Sequence, residues 1–371
     1  MILTCDRTAL LSALRTLDTV ISAKATMPIY KHVKATATAD ALTLQATDLE
    51  VGMRLTMIGT AIEEPGEAML PASKINQILR ESTDETIRME TSASKLKLLT
   101  FSAEYEMSTD NPQDFSDVAD FDAGDIHYEF AAGDLSHMIQ RTVFAAATDE
   151  GKYAMRAILL ALTGNKIDMV ASDGKRIAVA SGVCTKFGDG TPATGSQLIP
   201  PKAMSLLNRI MEEGDAAQPI QVRLNANNAL FRTERATIYT RLVEGRFPPY
   251  RDVIPKTSKA KATIPVGEFL TAIRQAAVMT DMESKRILFA FEPDRLSLKA
   301  EGANTGRSAV TMRLTDYVGP KITMAFDPIY LTDFLRAMPA GECVSMELID
   351  DNKPAVFRNG SDYLYLVVPL I

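Results

Sequence analysis

The sequence predicts an α+β protein built by repetition, and three observations predict it. One amphipathic helical segment ending in arginine returns six times: TALLSALR to Arg15, ASKINQILR to Arg80, GDLSHMIQR to Arg141, PKAMSLLNR to Arg209, GEFLTAIR to Arg274 and DPIYLTDFLR to Arg336. Between the copies the chain alternates apolar and polar residues, broken by Asp, Gly and Asn turns, as half-buried strands do. The connections between those strands are too short for parallel crossovers, so the sheets are antiparallel with the helices segregated to one side. A returning unit of this kind sets the fold.

The elements follow in order. Residues 1–4 read as a first strand, then comes the first helical copy. Residues 34–39, 42–46, 51–58, 95–102 and 105–108 read as strands around the second copy. In that copy Ile75, Ile78 and Leu79 form a buried stripe, and Leu331, Phe334 and Leu335 do the same in the sixth. The strand rhythm returns at 158–162, 167–171 and 176–181, and again at 287–291, 296–300 and 308–314. The six units therefore pair into three longer repeats, which predicts domains at 1–122, 128–255 and 262–371. The acidic run 119–127 and the Lys/Pro-bearing run 251–262 read as linkers.

A chain of 371 residues suits about two to three domains. The net charge of −7 argues against a protein that coats nucleic acid with general basicity, but not against a local basic surface. No apolar run is long enough to span a bilayer, and the N-terminus lacks a signal-peptide layout, so a cytoplasmic protein without a membrane partner is expected. Cys5, Cys184 and Cys343 are scattered and odd in number, which predicts small buried side chains in a reducing cytosol and neither a disulfide frame nor a metal site. His32, His127 and His137 have no metal-ligand spacing, and no P-loop, dinucleotide fingerprint, HExxH or nucleophile elbow occurs. No catalytic residue, metal or cofactor is therefore expected. Asp48 with Glu50, Asp350 with Asp351, and the DG step in 172–175 read as turns.

Two readings of the six arginines stand. Each is suited to cap the last carbonyls of a helix and to face its dipole. Six at matching places also suit a row of guanidinium groups aimed at a phosphate backbone. Arg7, Lys24, Lys74 and Lys202 add to the same elements. No aromatic residues interleave with them and no base-reading helix is evident, so single-strand stacking and sequence readout are not expected.

The motif order resembles the bacterial sliding clamps, the β subunit family of DNA polymerase III. The residues that carry this are MPI at 27–29, ATDLEV at 46–51, LPASK at 70–74, ASDGKRIAV at 171–179, VEGRFPPYRDVIP at 243–255 and YLYLVVPLI at 363–371. They span essentially the whole chain. The resemblance implies the DNA-clamp fold, a head-to-tail homodimeric ring with helices lining the hole, and no catalysis. Its implied partners are double-stranded DNA without sequence preference, a replicative polymerase, a clamp loader and other clamp-binding peptides.

The resemblance also implies a partner-peptide pocket. Ser172, Gly174, Lys175, Arg176 and Ile177 form one part, with Met155 nearby, and Pro248 and Val253 another. Tyr330, Pro354, Val367, Val368, Pro369 and Leu370 complete it. Where relatives carry a Tyr-Leu-Asn-Gly-like run, this chain has Tyr153-Ala154-Met155-Arg156-Ala157, which alters one wall. The dimer contact is expected to pair Glu104, Glu106 and Met107 on the strand at 102–108 with Arg307 on the strand near 307–314, with Val278 and Met279 alongside. A specialised clamp-like scaffold for repair proteins, or a repeat-built hydrolase or binding protein with arginines as caps only, are the rival readings.

Overall fold

A computed structural model describes residues 1–22, 27–92, 94–122, 126–149, 151, 153–188, 196–212, 214–280, 285–302 and 305–370. The six α-helices among these residues fall two to each predicted repeat: α1 Arg7–Asp18, α2 Ala72–Glu81, α3 Ala132–Thr142, α4 Pro201–Glu212, α5 Val266–Ala277 and α6 Pro328–Arg336. Each begins directly after a strand or within one residue of it. Asp6 starts α1 by accepting the Ala9 N–H (2.7 Å), and Asp327 starts α6 by accepting the Ile329 N–H (2.9 Å) ahead of Pro328. Every strand pairing among the described residues is antiparallel, as expected from the short connections.

The chain forms two compact units: residues 1–133, 185–193 and 202–242, and residues 134–184, 194–201 and 243–371. The middle repeat is thus shared between them, and sheet pairing explains why. In the first unit a nine-stranded sheet runs in the order Thr185–Phe187, His127–Ala131, Pro219–Leu224, Asn228–Arg232, Ala236–Arg241, Val51–Met57, Leu42–Thr47, Val33–Ala37, Gly66–Leu70. Its join lies where Thr237 stands opposite Arg54. A second, five-stranded sheet ends on Glu104–Ser108, which among the described residues pairs with Lys95–Leu99 on one side only.

Residues 110–122 cross the nine-stranded sheet as a strap. Asp117 receives the buried Lys34 Nζ (3.0 Å), Val118 N–H meets Gln45 Oε1 (3.0 Å), and Asp120 accepts from Arg232 (2.9 Å) and Thr237 (2.9 Å). The strap lies so close that a Cβ on Gly52 would come within 2.8 Å of Val118, which explains a glycine inside that strand.

The second unit holds an eight-stranded sheet in the order Ser196–Ile199, Ile158–Thr163, Lys166–Ser172, Arg176–Val183, Tyr363–Val367, Ala355–Asn359, Cys343–Leu348, Ala260–Pro265. Its join pairs Ala178 with Tyr365. A four-stranded sheet ends on Gly306–Arg313, paired among the described residues with Arg295–Gly302 on one side only. The core between is aromatic. Phe269, Phe289, Phe326, Phe334, Phe357 and Tyr365 are all essentially buried, and Phe334 stacks on Tyr365 at 4.5 Å. The run 251–262 is a linker only in part. Tyr250–Val253 is a single 3-10 turn held on the sheet, and Ala260–Pro265 is an edge strand.

Candidate nucleic-acid face and partner site

The helices position their arginines by register. Counting the first helical residue as one, Arg15, Arg80, Arg209, Arg274 and Arg336 each stand ninth in their helix. All five are exposed, and none has a hydrogen-bond or ion-pair partner among the described residues. Lys74 is exposed on α2 as well. Arg141 stands tenth in α3, and Gln140 holds the ninth place. One residue turns a helix by about 100°, so Arg141 leaves the shared face. It is half-buried against Asp362 (3.3 Å) and Asn359 (3.4 Å), with its guanidinium over the Tyr363 ring at 5.1 Å.

Two more of the expected basic residues are used inside the fold. Arg7 donates to the Leu79 and Asp84 carbonyls (2.9 and 2.7 Å), closing the end of α2. Lys202 donates to the Val20 carbonyl (2.8 Å) and to Asp48 (2.6 Å). Lys24 lies outside the described residues. The exposed set is therefore five arginines and Lys74, without the partners that a purely structural cap would have.

The expected partner-site residues come together within the second unit. The hairpin between Lys166–Ser172 and Arg176–Val183 turns on Gly174 at φ +85°, a left-handed conformation that suits glycine. Ser172 Oγ fixes the turn, donating to the Arg176 carbonyl (2.8 Å) and accepting the Gly174 N–H (3.1 Å). Arg176 is buried but fully employed. It bonds Asp173 (3.0 Å), Asp333 of α6 (2.8 Å) and the Phe144 carbonyl (2.8 Å), and its guanidinium lies 4.7 Å from the Tyr330 ring centre. Burial works against its charge, but Tyr365 and the two carboxylates outweigh it and strengthen its basicity. Arg176 is thus a structural post of the site, with Lys175 the exposed cation beside it.

The tail crosses the same turn. Val368 N–H bonds the Lys175 carbonyl and Leu370 N–H bonds the Ala325 carbonyl, both at 2.8 Å. Val367 and Pro369 are buried, whereas Val368 is exposed. Ile177 joins Phe247, Tyr250 and Leu366 in one apolar cluster, against which Ala154 and Ile254 pack. Beside this cluster Pro248 and Val253 stand exposed, Val253 at 53%. Pro354 precedes the strand Ala355–Asn359, whose Ala355 faces Val367. Met155 is half-buried, and its carbonyl accepts the Ala147 N–H (2.9 Å). Apolar surface with a few polar groups at its rim suits an apolar-anchored peptide.

At the free edges, Glu104 and Glu106 already have partners in their own chain: Lys97 at 3.0 Å and Lys95 at 2.6 Å. Those lysines lie on the adjacent strand, whose register was not read from the sequence. Met107 is half-buried opposite Leu96. Arg307 is exposed opposite Glu301, and Val278 is 70% exposed. Met279 is half-buried, its carbonyl bonded by Thr305. A cavity of about 310 Å³ is lined by α5 and by residues 310–312 of the edge strand. Among the described residues no group of three His, Cys, Asp or Glu is arranged to hold a metal ion, and no helix is long and apolar enough to cross a membrane.

Repeated pairs of helices on antiparallel sheets, with matched arginines left free, define the sliding-clamp class of protein. Three family models match in order: the N-terminal domain of the DNA polymerase III beta subunit over residues 1–119, its central domain over 129–249 and its C-terminal domain over 251–369. The chain belongs to the DNA polymerase III beta subunit family. It is 25% identical to the beta sliding clamp of Chlamydia pneumoniae over 367 residues, covering 98% of this chain and 97% of that protein. It is also 25% identical to that of Caulobacter vibrioides over the full length of both. A DNA polymerase sliding clamp from Bacillus subtilis superposes with a TM-score of 0.91 at 18% identity, covering 100% of this chain and 99% of that one.

Proposed function

We infer that the protein is a DNA sliding clamp, a processivity factor that encircles duplex DNA and tethers the replicative polymerase and other DNA-processing proteins. The observation that carries this is the set of five exposed, unpartnered arginines at one helical position. Isolated solvated cations meet phosphates without reading bases, and each contact is weak enough to slide. The working form is a head-to-tail homodimeric ring in the cytoplasm, with three clamp domains per chain at 1–122, 128–255 and 262–371. Edge pairing of Glu104–Ser108 with Gly306–Arg313 of a second copy closes the ring, with Met107, Val278 and Met279 packing nearby. Partner peptides and the clamp loader dock on the apolar surface around Val253, Pro248, Val368 and Ile177. Its part in the polymerase holoenzyme is accessory, since tethering raises the local concentration of polymerase without covalent chemistry.

The test is retention on DNA in high-salt gel filtration after loading by a clamp loader. Retention on nicked circles and loss from the same DNA linearised is the expected result. Equal loss from both, with a loader proven on another clamp, returns the arginines to a capping role and favours a recruiting scaffold.

A further inference from the structure

The segment from Val243 to Lys259 carries Pro248 and Val253 yet has little backbone support. Among the described residues, its interior holds only the 3-10 turn Tyr250–Val253 and one bond from the Asp252 N–H to the Pro249 carbonyl (3.2 Å). Pro248 and Pro249 have no N–H to offer a neighbouring strand. Phe247 and Tyr250 anchor it through the apolar cluster, but apolar packing is non-directional and leaves the pitch of the turn unset.

A carboxylate supplies the direction. Asp168 lies on Lys166–Ser172, on the same face as Val170 and Ser172 by the strand's period of two. One oxygen accepts the Ser181 hydroxyl (2.7 Å) from the residue directly across the ladder. The other accepts the Tyr250 hydroxyl (3.1 Å) and the Arg251 guanidinium (2.6 Å), and Arg251 Nε donates on to the Tyr250 oxygen (3.1 Å). Half-burial pushes this carboxyl up, but the bonds from Ser181, Arg251 and Tyr250 outweigh it and hold it below the usual carboxylate range. The strand that begins the Ser172 turn therefore also clasps the opposite wall.

We propose that Asp168 is a positioning residue for partner binding, clasping Tyr250 and Arg251 so that Pro248 and Val253 face the peptide as a fixed wall. It rests on the peptide site inferred above. Two readouts test it in the full-length protein: native-state trypsin cleavage after Arg246 and Arg251, and the affinity of a short fluorescein-labelled peptide carrying adjacent Leu and Phe. A hydrogen bond to a charged group is of the size that shifts an equilibrium about tenfold. D168N is expected to raise the cleavage rate and weaken the peptide by about that factor, with the sedimentation of the homodimer unchanged. Y250F, which removes one donor, moves both in the same direction by less and serves where D168N does not fold. D168E recovers part of the affinity. An unchanged cleavage rate in a folded variant, or faster cleavage with unchanged peptide affinity, overturns the proposal. A wild-type protein that ignores the peptide overturns the site reading instead, and is told apart because it shows before any substitution.

Discussion

Arginine 141 differs from its five counterparts by one residue of register, and that decides its role. Replacing Arg15, Arg80, Arg209, Arg274 or Arg336 with alanine is expected to lower the salt slope of duplex association by up to about one unit each. Arg141→Ala leaves that slope alone and lowers the melting temperature, because its partners are Asp362, Asn359 and the Tyr363 ring. Anisotropy titrations against NaCl, beside thermal melts, check both. Arg176→Ala strands Asp173 and Asp333 without their buried cation, so a loss of about 3–5 kcal/mol is expected in urea unfolding. The offset in α3 was legible in the sequence: Gly133 precedes Arg141 by eight residues, where Gly267 precedes Arg274 by seven. The work done by Arg7 and Lys202 was not. Their partners, Asp84 and Asp48, lie far along the chain, and no local pattern announces a distant carbonyl.

Among the elements, the strap at 110–122 holds its sheet with charge as well as with the buried Phe115 and Val118. Asp120 is pushed up by partial burial, but Arg232, the Phe121 N–H and Thr237 outweigh this and hold it below the ordinary 3.8. A carboxyl held low when folded contributes fully above its unfolded value and loses that contribution as pH falls toward its folded one. Acid unfolding is therefore expected to steepen below about pH 4, and Asp120→Asn to flatten that limb, in a fluorescence titration of both proteins. The sequence marked 119–127 as acidic and linking. It did not show that the acids face Arg54, Arg223 and Arg232, because those sit on strands whose pairing is non-local. The six helices and strands such as Leu42–Thr47, Lys166–Ser172 and Arg295–Gly302 were legible because their periodicities are local, whereas Thr86–Ser92, Pro219–Leu224 and Cys343–Leu348 were not read.

For the whole molecule, the edges at Glu104–Ser108 and Gly306–Arg313 carry the proposed ring. Reversing Glu104 and Glu106 to lysine opposes them to Lys95 and Lys97 as well as to a partner's arginines. Sedimentation velocity at low salt is expected to show a weakened dimer. Adding Arg307→Glu and Arg313→Glu restores part of it if the two edges meet, whereas recovery is absent if the loss comes from the hairpin alone. The three repeats were legible in the sequence, but the sharing of the middle one between two compact units was not, since hydrogen-bonded register across about 185 residues leaves no mark in either strand.

That sharing has a consequence for how the chain is made. The strand Val51–Met57 leaves the ribosome early and waits for Ala236–Arg241 before its edge is covered. Arg176–Val183 waits for Tyr363–Val367, which lies about 180 residues further along the chain. Pairings this distant are slow to close and leave open edges in the meantime. Each long sheet is therefore expected to close only after its distant strand has been made, and a ribosome stalled before residue 363 holds a chain in which Arg176–Val183 still has an open edge.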